Sequence, residues 1–226
     1  MIPYISPYKT TTQPRAPRHL YGSNCPPAGA IHALLPTPDC GCCMKQTLYL
    51  IRHCQATGQQ PDAPLTPAGE QQAYALAATL ASTGITQLVA SPYARAVQSI
   101  LPLAQVLSLP ITADARLVER VLSNPPIENC VDALRVTYED FNMAFPGGET
   151  SRAATHRAIA AIEAALAQSS PALAIVTHGN LLSLILKHFN PALGFDEWQA
   201  MRNPDVYQVL LTARQPQIIR MSIVGA

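Results

Sequence analysis

Two arginines and two histidines stand at the ends of apolar runs. Arg52-His53 directly follows Leu48-Tyr49-Leu50-Ile51, Arg95 follows Ser91-Pro92-Tyr93-Ala94 after a run that ends at Ala90, and His178-Gly179-Asn180 follows Ala172–Thr177. A guanidinium is a planar fork of N–H donors that matches phosphate oxygens bidentately. An imidazole with a pKa of about 6.5 is either a neutral nucleophile or a charged stabiliser. Brought together, these four side chains would form an anion site with a nucleophile inside it. Whether they meet depends on the elements that carry them.

From residue 46 the chain alternates short apolar runs with longer helical patterns, the signature of an α/β fold. Strands are expected at Gln46–Ile51, Thr86–Ala90, Pro110–Ala113 and Ala172–Thr177, with two late strands at Val206–Thr212 and Gln217–Val224 forming an edge hairpin. Thr66-Pro67 opens a helix, with Thr as N-cap and Pro where its missing N–H costs nothing. Ala73, Leu76, Ala77 and Leu80 then fall on one face. Ser91-Pro92 repeats the device for a helix to about Leu107, and further helices are expected over Thr150–Gln168 and Asn180–Lys187. Residues 120–148 carry weak periodicity and several breakers, and are expected to be an insertion over one end of the sheet. In an open α/β sheet, ligands bind beyond the carboxyl ends of the strands, where helix N-termini offer free N–H groups to an anion. All four polar side chains map to that edge.

The chain has 226 residues, 48% of them hydrophobic and 13% charged, enough apolar material for a sizeable core. Fifteen Lys and Arg against 14 Asp and Glu give a net charge of +1, so no field of one sign exists to gather nucleic acid or an anionic membrane. No apolar run approaches the roughly 18–20 residues that span a bilayer, so a soluble, cytoplasmic protein is expected. Residues 1–43 differ from the rest, with eight of the 21 prolines, four of the six cysteines and one acid, Asp39. They are expected to be a disordered arm, or to lie upstream of a true start at Met44. Cys40-Gly41-Cys42-Cys43 lacks a second Cys/His pair at zinc spacing, so no metal is expected there.

Six segments together resemble the histidine phosphatase superfamily, the phosphoglycerate mutase-like family. Leu50-Ile51-Arg52-His53-Cys54-Gln55 resembles its Arg-His-Gly motif, Leu65-Thr66-Pro67-Ala68-Gly69 with Gln72-Ala73 its Leu-Thr-x-x-Gly-x-x-Gln-Ala segment, and Ser91-Pro92-Tyr93-Ala94-Arg95-Ala96 its Ser-Pro-x-x-Arg-Ala segment. Arg116-Leu117-Val118-Glu119, Gly148-Glu149-Thr150 and Thr177-His178-Gly179 are similar to its acid, Gly-Glu-Ser and second-histidine motifs. The order is that of the family, over about residues 46–212. The resemblance implies a three-layer α/β/α fold with a mostly parallel central sheet, and a metal-independent phosphomonoester hydrolase that needs no cofactor. It implies His53 as nucleophile, Arg52, Arg95 and His178 as ligands of the phosphoryl oxygens, and Glu119 as general acid and base, in surroundings that keep it protonated. Gln59 and Asn180, and Thr57 beside them, are candidates to donate to a phosphate oxygen. The expected partner is a small phosphorylated metabolite, with no nucleic acid or membrane.

The departures shape the alternatives. Cys54 replaces the usual Gly, and a thiol beside two cations would have a lowered pKa and be oxidisable. Gln59 stands where many members have Asn, and the short loop from Ala56 to Ala63 lacks the pattern typical of mutases, favouring hydrolysis over a mutase-type phosphotransfer. A non-catalytic phospho-ligand module is the third reading, against which both His53 and Glu119 are retained. Specificity is expected from residues 120–148 and 190–205, with Tyr138 and Trp198 beside an organic moiety or in the core.

Overall fold

The first long apolar run forms β1 (Gln46–Arg52), buried from Leu48 to Ile51. The computed structural model describes residues 46–168, 170–212 and 215–224. The Pro-rich arm, its cysteine cluster and Met44 lie outside the described residues. The strands β2 (Gln87–Ala90), β3 (Ile111–Ala113) and β4 (Ala172–Thr177) run parallel to β1 in the order β3-β2-β4-β1. On the far side β5 (Asp205–Leu211) pairs antiparallel with β1, and β6 (Gln217–Met221) pairs antiparallel with β5. The sheet is therefore mostly parallel with an antiparallel edge, as expected.

Successive side chains of a strand point to opposite faces, and this divides the core in two. Leu48, Leu50, Leu173 and Ile175 belong to one cluster; Tyr49, Ile51, Ala174 and Val176 belong to the other. The helices α1 (Pro67–Leu80) and α2 (Ala94–Leu107) cover the second face through Ala73, Leu76, Ala96 and Ile100. On the opposite face lie α4 (Ser151–Leu166) and α5 (Gly179–Phe189), through Ala158, Ile162, Leu182 and Ile185. Parallel strands covered on both faces explain why β4 is buried at every position, with no polar alternation in its sequence.

Helix α1 starts as its sequence dictates: the Thr66 hydroxyl accepts the Gly69 amide at 3.0 Å, with Pro67 in the first turn. Gly69 itself is fixed by crowding, since a Cβ there would sit 2.0 Å from the Gln55 carbonyl oxygen. The helix is thus pressed against the loop that leaves His53.

Three features differ from expectation. Helix α2 begins at Ala94 with Tyr93 as cap and takes no side-chain cap; the Ser91 hydroxyl lies before it, accepting the Tyr93 amide and meeting His178 Nε2. The insertion contains a helix, α3 (Cys130–Glu139), whose Asn129 cap accepts the Asp132 amide. Only Leu134 and Thr137 of α3 are buried, so its apolar stripe is too thin to show as periodicity. A six-residue helix, α6 (Phe195–Ala200), lies in the 190–205 stretch; it is a turn and a half, below the length at which a pattern emerges. Among the described residues no helix is long and apolar enough to cross a membrane.

Candidate active site

Strand register brings the first three motifs together. Arg52 pairs with Thr177 across β1 and β4, and Ala90 pairs with Val176 across β2 and β4. His53, His178 and Ser91 therefore leave three adjacent strands at nearly one level. The ladder continues one step beyond the strands, as the His53 amide donates to Thr177 O at 3.0 Å and the Ser91 amide to Val176 O at 2.9 Å. The two imidazoles meet edge to face with centroids 5.2 Å apart.

His53 is held in one tautomer. Its Nδ1 lies 2.6 Å from the Cys54 carbonyl oxygen, which can only accept, so the proton is on Nδ1 and the lone pair on Nε2. Arg95 Nε donates to that Nε2 at 3.2 Å. Burial pushes the His53 pKa down from 6.5 to about 4, opposed by the Cys54 hydrogen bond and reinforced by the charges of Arg95 and Arg52. Asn203 Nδ2 donates to the His53 carbonyl at 2.8 Å and fixes the backbone from the β5 side. The Cys54 amide donates to Ser99 Oγ at 2.8 Å, and that hydroxyl donates to Arg95 O at 2.6 Å, linking the nucleophile's loop to α2.

Arg95 is 1% exposed, and its Nη1 donates to the carbonyls of Gln59 at 3.1 Å and Gln60 at 2.8 Å. Arg52 Nη1 donates to Met201 O at 3.1 Å, while its Nε is buried with no partner among the described residues. Its guanidinium lies flat on Gly179, where a Cβ would come within 3.1 Å of Cζ and Nε. The His-Gly pair thus has a steric reason: the second residue must be bare for Arg52 to pass. Burial lowers the pKa of both arginines, and the charge of Glu119 opposes it in each case.

His178 is fully buried; burial, then the charges of His53 and Arg95, hold its pKa well below 6.5. Its Nε2 lies 2.8 Å from Ser91 Oγ, and its Nδ1 has no partner among the described residues. Tyr93 packs edge to face on it at 5.0 Å.

Glu119 arrives differently, on an irregular segment after β3. Its Oε1 accepts the amides of Arg120 and Leu181 at 2.9 Å each, and its Oε2 accepts the Asn180 amide at 3.1 Å. Two of these donors are the free N–H groups of the first turn of α5, beside His178. Three backbone donors surround the carboxyl and fix the position of both its oxygens. The segment is held from behind. Arg157 Nη1 donates to Arg116 O at 2.6 Å and Val118 O at 2.8 Å, while its Nε and Nη2 grip both Glu149 oxygens at 2.8 and 2.9 Å. Buried Arg120 donates to Glu149 O at 2.8 Å and to the hydroxyls of Thr137 and Ser151 at 2.9 Å each.

The structure thus brings Arg52, His53, Arg95, His178 and Glu119 together and leaves other candidates aside. The Gln59 side chain is exposed, and the residue serves through its carbonyl on Arg95. Thr57 Oγ1 donates to Pro64 O at 3.2 Å and closes its own loop. Asn180 is buried near the rim, but its Nδ2 donates to Tyr138 OH at 2.9 Å. The activated thiol is not there: Cys54 is fully buried in the α1/α2 core and desolvation raises its pKa to about 11. Tyr138 and Trp198 both pack on Phe195, with centroids 5.9 and 5.3 Å away. Ser91, Asn203 and Arg157 were missed; Ser91 carried a signal, the strand-end position it shares with both histidines. Among the described residues no group of three or more His, Cys, Asp or Glu is placed to hold a metal ion.

Comparison with known proteins adds an independent line. "Probable phosphoglycerate mutase GpmB" of Salmonella newport is 30% identical over 174 residues, covering 69% of this chain and 78% of that protein. Among solved structures, a mycobacterial glucosyl-3-phosphoglycerate phosphatase superposes with a TM-score of 0.64 at 21% identity, covering 80% of this chain and 100% of the other. The alpha-ribazole phosphatase from Shigella flexneri gives 0.62 at 19% identity, covering 78% and 96%. The family described as the histidine phosphatase superfamily (branch 1) matches residues 48–224. With strand ends, arginines and paired histidines arranged as above, the chain belongs to the histidine phosphatase superfamily, branch 1.

Proposed function

We propose that this protein hydrolyses the phosphomonoester of a small metabolite through a phosphohistidine at His53, without a metal. The observation that carries the proposal is the locked tautomer of His53: Nδ1–H is spent on Cys54 O, so Nε2 alone can attack, and it lies on the Arg95 side of the ring. Arg52 and Arg95 supply the positive charge that a metal would otherwise bring. With the Ser91 hydroxyl, which accepts the Tyr93 amide, donating to His178 Nε2, Nδ1–H of His178 would be a buried donor. That donor and Arg52 Nε, both without protein partners, suit two phosphoryl oxygens.

The chemistry runs in two displacements. In the first, the Nε2 lone pair of His53 attacks phosphorus and the ester P–O pair leaves with the alkoxide, which takes a proton from the carboxylic acid of Glu119. The Arg95–His53 hydrogen bond opens as the guanidinium turns to the phosphoryl group. In the second, water gives a proton to the Glu119 carboxylate as its oxygen attacks phosphorus, and the N–P pair returns to Nε2. The proton that Glu119 gives in the first displacement is recovered from water in the second, so the cycle closes with no net change at the carboxyl.

A mutase-type phosphotransfer is the second reading, favoured by the name of the Salmonella relative. Against it stands the exposed rim over residues 55–62, where a mutase needs an enclosed pocket to retain a bisphosphate. A cytosolic location is part of the proposal; Cys54 and Cys130, free thiols among the described residues, suit a reducing compartment. The test is hydrolysis of 4-nitrophenyl phosphate with excess chelator, in wild type and His53→Ala. Activity that survives chelation and vanishes in His53→Ala supports the proposal. Turnover persisting in His53→Ala, or bisphosphate-dependent isomerisation of phosphoglycerate outrunning hydrolysis, contradicts it.

A further inference from the structure

We infer that Arg157, held by Glu149, is the positioning residue that sets where the Glu119 carboxyl stands, although neither touches the reacting atoms. No regular element carries Glu119: a short 3-10 turn over Ala115–Leu117 precedes it and an irregular stretch follows. Its own backbone makes no ladder. What fixes it is one guanidinium from the middle of α4, whose Nη1 spans the carbonyls of Arg116 and Val118, the residues three and one before Glu119. A single terminal nitrogen, one N–H to each carbonyl, restrains a turn only if the guanidinium itself cannot rotate. Glu149 supplies that restraint with both oxygens, in the side-by-side geometry that Arg makes and Lys cannot.

Glu149 also ties down the far side. Its amide donates to Val121 O at 2.8 Å and its carbonyl accepts Arg120 Nε at 2.8 Å. Both flanks of Glu119 are thus pinned to one residue at the head of α4. Thr177 adds a link to the sheet, its hydroxyl donating to Leu117 O at 2.8 Å. Loss of the clamp should let the acid drift while leaving Arg52, His53, Arg95 and His178 in place, because none of those four hydrogen-bonds to Arg157 or Glu149; the charge of Arg157, which His178 feels, is kept in Arg157→Lys. A misplaced carboxyl slows the first displacement only for esters whose leaving group needs a proton; the second displacement is common to all esters, so the comparison is read in kcat/KM, which ends when the alcohol departs.

The inference rests on the acid role of Glu119 proposed above, and leaving-group dependence separates the two. The readouts are kcat and KM for glycerol 2-phosphate, with a basic alkoxide, and for 4-nitrophenyl phosphate, whose phenolate leaves unprotonated. Wild type, Arg157→Lys, Glu149→Gln, Glu119→Gln and the double variant Arg157→Lys/Glu119→Gln are compared, with a thermal midpoint for each. Arg157→Lys and Glu149→Gln should each lose ~10-fold in kcat/KM on glycerol 2-phosphate, with kcat/KM for the aryl ester changed less than about twofold. The double variant should be no slower than Glu119→Gln, because the clamp acts through that carboxyl. Equal losses on both esters, or additive losses in the double variant, would overturn the positioning role. Equal fold-losses in kcat/KM on both esters in Glu119→Gln would overturn the acid assignment itself, and this inference with it. Should Arg157→Lys fail to fold, Glu149→Gln, which keeps the shape of the clamp and removes its charge, is read by the same criteria.

Discussion

The floor and the wall of this site are held by different physics. The floor, Arg52, His53, Arg95 and His178, grows from the ends of β1, β2 and β4, and a parallel ladder sets its level to within one hydrogen bond. The wall, which carries Glu119, hangs on an irregular segment that two arginines and Glu149 pin to the helices behind it. Floor residues inherit precision from a backbone that all strands share. The wall needs dedicated side chains. Damage to the floor should therefore abolish turnover of any substrate, whereas damage to the wall should depend on which substrate is offered.

The largest effect is expected at the nucleophile: His53→Ala should lower kcat by at least ~10³-fold on aryl and alkyl esters alike, measured with chelator present. An aryl ester spared by His53→Ala would erase the distinction. Arg95→Ala should cost ~10²–10³-fold on both esters, the range for losing one donor to developing oxyanion charge. Gly179→Ala sharpens the comparison, since it touches the floor only through sterics. The added Cβ would press on the Arg52 guanidinium at 3.1 Å, and we expect a ~10-fold loss shared by both esters with little change in thermal midpoint. Loss confined to the alkyl ester would assign Gly179 to the wall instead.

Acid should act on stability through the floor. His53 has a native pKa near 4 and His178 one well below 6.5, so as pH falls through 6.5 the unfolded chain takes up protons that the native state refuses. The native state therefore loses nothing from these groups above about pH 7 and is progressively destabilised from pH 6.5 towards 4, by on the order of 3 kcal/mol for His53 alone. Thermal midpoints across that range should fall less steeply in His53→Gln than in wild type; parallel curves would mean that His53 titrates normally. The smallest effect concerns Cys54, buried with its pKa near 11: alkylation by iodoacetamide at neutral pH, mapped by peptide mass, should label exposed Cys130 and leave Cys54 free.

The floor was legible in the sequence because its signals are local. Apolar runs give the strands, the next residues give the chemistry, and topology places every such end on one edge. The wall was half legible. Glu119 stands out by its place beside Leu117, but its support comes from Glu149 and Arg157, tens of residues away and bound through carbonyls that any residue type provides. Asn203 is hidden for the same reason, since it recognises the backbone of His53 from 150 positions along the chain. Ser91 misled, because a Ser-Pro pair is a good cap in isolation and only the packed structure shows the helix starting later, at Ala94, with the Ser91 hydroxyl meeting His178. Helices α3 and α6 carry too few buried residues to leave a period in the sequence.

The central claim, that His53 attacks through Nε2, is tested most directly by rapid quench in base with a phosphorylated substrate and phosphorus NMR of the trapped protein. The account predicts a single acid-labile phosphoramidate on the Nε2 nitrogen of His53. Phosphate on Nδ1 of that ring, on another residue, or nowhere during rapid turnover would contradict it.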